Sequence, residues 1–249
     1  MVRAVLFDLD DTLFDHRGCA RTALERLHAA HACFRAATFE QFERCHAELL
    51  EELHREVLAG RRRLDDARRE RFRRLFERSG VTPDDELVHG AAMEYRRGYL
   101  AARQAIAGAA ALLPLVRARA RVGVVSNNLL EEQREKIRHC ELEPHVDVLV
   151  VSEEAGVSKP DPRIFHLALE RLGCAAGDAV MIGDSWSADI AGARAAGIRP
   201  VWFNPLGLPA PAGGEQVPQL RSLVPASRVL DAVFGAGGEA AVEQHADRR

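Results

Sequence analysis

The chain has 249 residues, 47% of them hydrophobic, and a formal net charge of -3. That length suits one large domain or a domain with a sizeable insertion, and the charge argues against a dedicated nucleic-acid binder, which needs a basic face to neutralise phosphates. Five scattered cysteines (Cys19, Cys33, Cys45, Cys140, Cys174) include no Cys-x-x-Cys pair, which points away from a disulfide framework or a zinc site.

Val2 to Phe7 is a short apolar run broken only by Arg3, and reads as a strand buried on both faces, as in a parallel sheet. The opening is too short and too acidic for a signal peptide, and no later run approaches transmembrane length. The expectation is a soluble cytoplasmic protein with no membrane or nucleic-acid partner, as a monomer or homodimer. From 15 to 105 there is no convincing strand, and Ala, Leu, Glu and Arg recur at helical spacing. Three or four helices are predicted here as a separate cap domain. Thr38 with Gln41 forms a capping box that opens a helix Phe39–Leu58, and Pro83 after Thr82 marks another start. The arginine-rich run Arg68–Arg74 reads as the solvated face of an amphipathic helix, with Leu64, Ala67 and Leu75 on its buried side.

Beyond the cap, strands are predicted at Arg121–Val125, Val146–Val151, Ala179–Ile182 and Arg199–Phe203. Helices are predicted at Leu129–Cys140, Arg163–Leu172 and Ala188–Ala196, the last two stopped by Gly173 and Gly197. This alternation predicts an α/β fold with a doubly wound parallel sheet, its core formed by 1–14 and 106–234 around the helical insertion 15–105. Residues 235–249 are Gly/Ala-rich and polar and read as a disordered tail.

In open α/β sheets ligands bind beyond the carboxyl ends of the strands. The predicted strand ends give Asp8, then Ser126 with Asn127, then Asp184, and Lys159 lies in the loop after another strand. Asp8 and Asp10 sit two apart on an extended exit, so both side chains can face one way. Two close carboxylates repel unless a cation sits between them or one holds a proton, the division of labour that a nucleophile and a general acid/base require. Taken alone, an Asp-x-Asp loop reads first as a solvated turn and helix cap. Asp184, ending a buried strand after Gly183, is costly without a partner, and hard oxygen ligands suit magnesium. Asp189 begins the following helix and taken alone is also a helix-terminus charge. Ser126-Asn127-Asn128 precedes a helix whose N-terminus is a natural phosphate seat, or is a simple cap. Of the 34 basic residues only Lys136 and Lys159 are lysines. Keeping a lysine in Ser158-Lys159-Pro160 suggests that a compact ammonium is needed there. Lys136 reads as an exposed helix residue.

In this order, Asp8-Leu9-Asp10-Asp11-Thr12-Leu13, Ser126-Asn127-Asn128, Lys159-Pro160 and Gly183-Asp184 through Asp189 resemble the four motifs of the haloacid dehalogenase superfamily of aspartate-nucleophile phosphatases. The stretches 151–162 and 190–197 resemble its helical-cap branch. The cap is loosely similar, around Arg68–Phe76 and Tyr95–Tyr99, to nucleotidases and acylneuraminate phosphatases. The resemblance implies Asp8 as nucleophile and Asp10 as general acid/base, with Ser126, Asn127 and Lys159 on the phosphoryl oxygens. Mg2+ is implied on Asp8, the backbone carbonyl of Asp10 and Asp184, with Asp189 as ligand or as support behind the ligands. His16 and Arg17, just after the first motif, are candidates to face substrate, a small phosphate ester. An acid at Asp10 argues against the dehalogenases, and a cap without lysine argues against the phosphonate-cleaving relatives. A sugar-phosphate mutase and a non-catalytic binding protein are the alternatives. Asp11 and Asn128 stand where many relatives carry glycine.

Overall fold

The computed structural model describes residues 1–235, so the predicted tail lies, but for Gly235, outside the described residues. The chain divides into two units: Met1–Asp15 together with the chain from Ala105 on, and His16–Gln104. The first holds a six-stranded all-parallel sheet in the order β3-β2-β1-β4-β5-β6. Its strands are β1 (Ala4–Phe7), β2 (Arg121–Ser126), β3 (Val148–Val151), β4 (Ala179–Gly183), β5 (Arg199–Phe203) and β6 (Gln219–Leu220). Every residue of β1 is buried, as a strand covered on both faces must be.

Helices α5 (Ala109–Arg117), α6 (Leu130–His139), α7 (Ser152–Ala155), α8 (Pro162–Leu172), α9 (Ala191–Ala195) and α10 (Ala226–Phe234) complete this unit. Ile164, Phe165, Ala168 and Leu172 of α8 pack with Ala4, Leu6, Val125 and Met181 of the strands. Gly173 and Gly197 end their helices in the left-handed conformation, as expected of helix-stop glycines. β6, only two residues long, has no counterpart among the predicted strands. The helix predicted over 188–196 is instead a π-turn, Trp186–Ile190, running into α9.

The second unit consists of α1 (His16–Ala30), α2 (Phe39–Leu58), α3 (Leu64–Arg78) and α4 (Asp85–Ala101). The capping box at Thr38 forms in both directions, Gln41 N donating to Thr38 Oγ1 at 3.3 Å and Thr38 N to Gln41 Oε1 at 3.0 Å. The start marked by Pro83 falls two residues later, where Asp84 caps α4 by accepting from Leu87 N at 2.8 Å. Phe34 lies between Phe42 and Phe76, with ring centroids 4.7 and 4.6 Å away, and fills the middle of the bundle.

The arginine-rich run of α3 departs from its expected solvation at one position. Arg68, Arg69, Arg73 and Arg74 pair with carboxylates on the surface. Arg71 is buried, its guanidinium 5.1 and 5.0 Å from the ring centres of Phe72 and Tyr95. Those rings offer a cation–π surface in place of water. His46 is buried beside it, with its Nε2 lacking a hydrogen-bond partner.

Burial, reinforced by the charge of Arg71 and by His16, holds the His46 pKa well below the usual histidine value. Above about pH 6.5 the ring is neutral in both folded and unfolded chains; below it only the unfolded chain takes up the proton readily, so stability falls with falling pH. The urea midpoint is therefore expected to drop between pH 7.5 and 5.5, and the drop to shrink in His46→Leu. An equal drop in that variant would contradict this assignment.

Candidate active site

The sheet order reverses at β1 and β4, which places a crevice beyond their carboxyl ends. Phe7 pairs with Ile182 on one side and with Val124 on the other, so Asp8 leaves β1 level with Gly183 and Val125. Asp8 N donates to Ile182 O at 2.9 Å, extending the ladder by one bond. Asp8 is held at the rim by the sheet itself.

Lys159 is buried against it. Its Nζ donates to Asp8 Oδ1 at 2.6 Å, to Asp189 Oδ1 at 2.7 Å and to Val125 O at 2.8 Å, which uses all three ammonium protons. The backbone of Lys159 is fixed as firmly: Asn127 Nδ2 donates to Lys159 O at 2.9 Å, and Lys159 N donates to Asn127 Oδ1 at 2.7 Å. The Asn127 side chain thus clamps the lysine backbone in both directions. Burial alone disfavours the ammonium, but Asp189 and Asp8 outweigh it and keep the Lys159 pKa above its usual value. For Asp8, burial dominates and pushes its pKa well up; Lys159 opposes this, while Asp189 and Asp184 add to it.

Asp189 is fully buried, and both of its oxygens are engaged, Oδ1 with Lys159 and Oδ2 with Ser185 N at 3.0 Å. The π-turn carries the chain back far enough for this. Oxygens of Asp8, Asp184 and Asp189 lie within 4.8 Å of one another. Such an all-oxygen set fits a hard divalent cation that keeps several waters, and magnesium suits it. Both Asp189 oxygens are already bonded, one to the Lys159 ammonium and one to a backbone N–H.

Asp10 meets a different set of partners. Lys136 Nζ donates to Asp10 Oδ1 at 2.6 Å, and Gln133 Nε2 to Asp10 Oδ2 at 2.9 Å. Gln133 Nε2 also lies 2.5 Å from Ser126 Oγ, at the end of β2. The expectation of an exposed Lys136 is therefore overturned: Lys136 is only 6% exposed, because α6 turns it inward onto Asp10. Gln133, fully buried, carried no sequence signal beyond its place one helical turn before Lys136. The signal for Lys136 was the scarcity of lysine, for both lysines of the chain pair with acids of the first motif. Asp11 adopts φ 64°, a left-handed conformation that Asp tolerates better than most residues. Asn128 does not share that strain; its Nδ2 lies 3.4 Å from Asp10 Oδ2.

Asp8, Asp10, Ser126, Asn127, Lys159, Asp184 and Asp189 are all carried by the sheet-bearing unit. His16 and Arg17 belong to the helical unit, at the first turn of α1, where His16 Nδ1 lies 2.8 Å from the Tyr99 hydroxyl and Arg17 is exposed.

A family model described as haloacid dehalogenase-like hydrolase matches residues 2–197. The chain belongs to the haloacid dehalogenase-like hydrolases. Among its relatives, a phosphoserine phosphatase of Thermus thermophilus is 33% identical over 88% of this chain and 95% of its own length. A glyceraldehyde 3-phosphate phosphatase of Methanopyrus kandleri is 32% identical over 80% of this chain and 82% of its own. Among solved structures, a magnesium-bound HAD-hydrolase of Bacillus subtilis superposes with a TM-score of 0.71 at 27% identity, covering 92% of this chain and 99% of that one. The chain is thus a hydrolase of this family. No helix among the described residues is long and apolar enough to cross a membrane.

Gly183 provides a structural test of the site. A Cβ on this residue would lie 2.3 Å from Asp189 Oδ2, whereas at Gly177 it would meet nothing within 4 Å. Gly183→Ala is expected to displace Asp189 and cost roughly 1–3 kcal/mol, as overpacking does. Gly177→Ala should leave the denaturation midpoint nearly unchanged, and equal midpoints for the two variants would contradict the packing described.

Proposed function

We propose that this hydrolase is a magnesium-dependent phosphomonoesterase that acts on a small phosphorylated metabolite through an aspartyl-phosphate on Asp8. The observation that carries the reading is the separation of two neighbouring acids by their partners. Asp8 is buried against Lys159, and Asp10 is held by Lys136 and Gln133. Carboxylates in different surroundings take different roles, one as nucleophile and one as acid/base.

The oxygen of Asp8 that Lys159 does not hold attacks phosphorus, and the ester P–O bond breaks as Asp10 gives its proton to the leaving alkoxide. Water then attacks the phosphorylated aspartate, passing a proton to Asp10 and releasing phosphate. Lys159 offsets charge beside the nucleophile, and the Ser126 hydroxyl and the backbone N–H of Asn127 are assigned to the phosphoryl oxygens. Asp8, Asp184 and the Asp10 carbonyl would hold magnesium, and Asp189 is assigned to fixing Lys159 behind them. When bound, the metal supplies charge neutralisation that lets an anionic nucleophile approach an anionic ester. The phosphatase names of the relatives support the substrate class. His16 and Arg17 remain our candidate substrate-facing residues.

Phosphate release from sugar phosphates, nucleotides and small phosphorylated acids, with magnesium and with Asp8→Asn as blank, tests the reading. The expected outcome is release from at least one ester, lost on chelation, and lowered about 10³-fold in Asp8→Asn, or about 4 kcal/mol of barrier. An isomerised product without free phosphate would point to a mutase, and no release above the blank would sink the proposal.

A further inference from the structure

Lysine is normally a surface residue, and an ammonium withdrawn from water is costly unless it is paired. Lys136 is withdrawn nonetheless, at 6% exposure, with its Nζ 2.6 Å from Asp10 Oδ1 and 5.2 Å from the centre of the Phe14 ring. Pairs of this kind are weak evidence for stability, since an apolar pair of similar volume often serves as well or better. What the arrangement does supply is direction. Lys136 holds one oxygen of Asp10 and Gln133 the other, at 2.9 Å, from positions three apart on one face of α6. A carboxylate held at both oxygens has little freedom to turn about its side-chain bonds. Gln133 also reaches Ser126 Oγ, so one amide ties the acid/base candidate to the end of β2.

We propose that Lys136 and Gln133 are positioning residues that hold the Asp10 carboxylate at the angle its proton transfers need. The proposal rests on the phosphatase reading for its kinetic consequence, but not for its structural one. Neither side chain is assigned a contact with substrate. Both act through Asp10, and misplacement of a reacting group by about 1 Å can cost on the order of 10²-fold in rate.

The two steps of the reaction depend on Asp10 unequally when the leaving group is a nitrophenolate. That anion departs without taking a proton, so attack by Asp8 with cleavage of the ester P–O bond barely needs Asp10. Hydrolysis of the phosphorylated aspartate still requires a base to take the proton from water. With p-nitrophenyl phosphate and magnesium, Lys136→Met should release about one nitrophenolate per protein rapidly and then turn over slowly. Its kcat should fall on the order of 10²-fold, with KM for an alkyl phosphate within about twofold of the parent. A slow reaction without the burst, a raised KM at unchanged kcat, or unaltered kinetics would each overturn the proposal. If Lys136→Met does not fold, Gln133→Leu must give the same burst and slow turnover, with no condition on its KM because Gln133 also holds Ser126. A crystal structure of whichever variant folds provides the readout independent of turnover: the Asp10 carboxylate should leave its place, and an unmoved Asp10 overturns the proposal. The phosphatase reading fails separately, if the parent protein releases no more phosphate than Asp8→Asn.

Discussion

An ammonium sealed inside the sheet-bearing unit is the constraint on which the rest of the site depends. All three Lys159 protons are used, on Asp8, Asp189 and the Val125 carbonyl, and its backbone is clamped by Asn127. Remove that charge and two buried carboxylates are left facing each other with only a metal to separate them. Breaking a buried pair from one side costs roughly 3–5 kcal/mol for the same reason. The neighbouring features serve this group. Gly183 leaves room for Asp189, the π-turn brings Asp189 into the interior, and the strand order opens the crevice where Asp8 emerges.

A second lysine repeats the device for the second acid. Asp10 lies two residues beyond Asp8, yet its partners come from α6, and those of Asp8 from the loop ahead of α8. The two acids therefore respond to different elements of the fold, and the distinct roles we propose for them rest on that separation. In a chain that otherwise uses arginine for its cations, a compact ammonium is kept at both places, and the planar guanidinium fork at neither.

The parallel sheet was legible because its strands are continuous apolar runs, which only burial on both faces explains, and because an acid or a hydroxyl ends several of them. Gly173 and Gly197 marked helix ends for a local reason, and so did the Thr38 capping box. Lys136 was not legible from its own helix, only from the scarcity of lysine in the chain. Its helix is rich in Glu131, Glu132, Glu135 and basic residues, and nothing local says which polar residue turns inward; that is set by Asp10, 126 positions away. Arg71 was hidden in the same way, because its aromatic shelter includes Tyr95 on another helix. The clamp that Asn127 places on the Lys159 backbone was not legible either, since an amide that can cap a helix or touch a phosphate can also hold a backbone 32 positions away.

The central claim is that Asp8 becomes covalently phosphorylated while its neighbour Asp10 does not. Acid quenching during turnover, followed by borohydride reduction and peptide mapping, reads this out directly, because reduction of an aspartyl-phosphate leaves homoserine. Homoserine at position 8, absent without substrate and absent in Asp8→Asn, is the predicted result. Turnover with no homoserine at position 8, or with the label at another residue, would contradict the account.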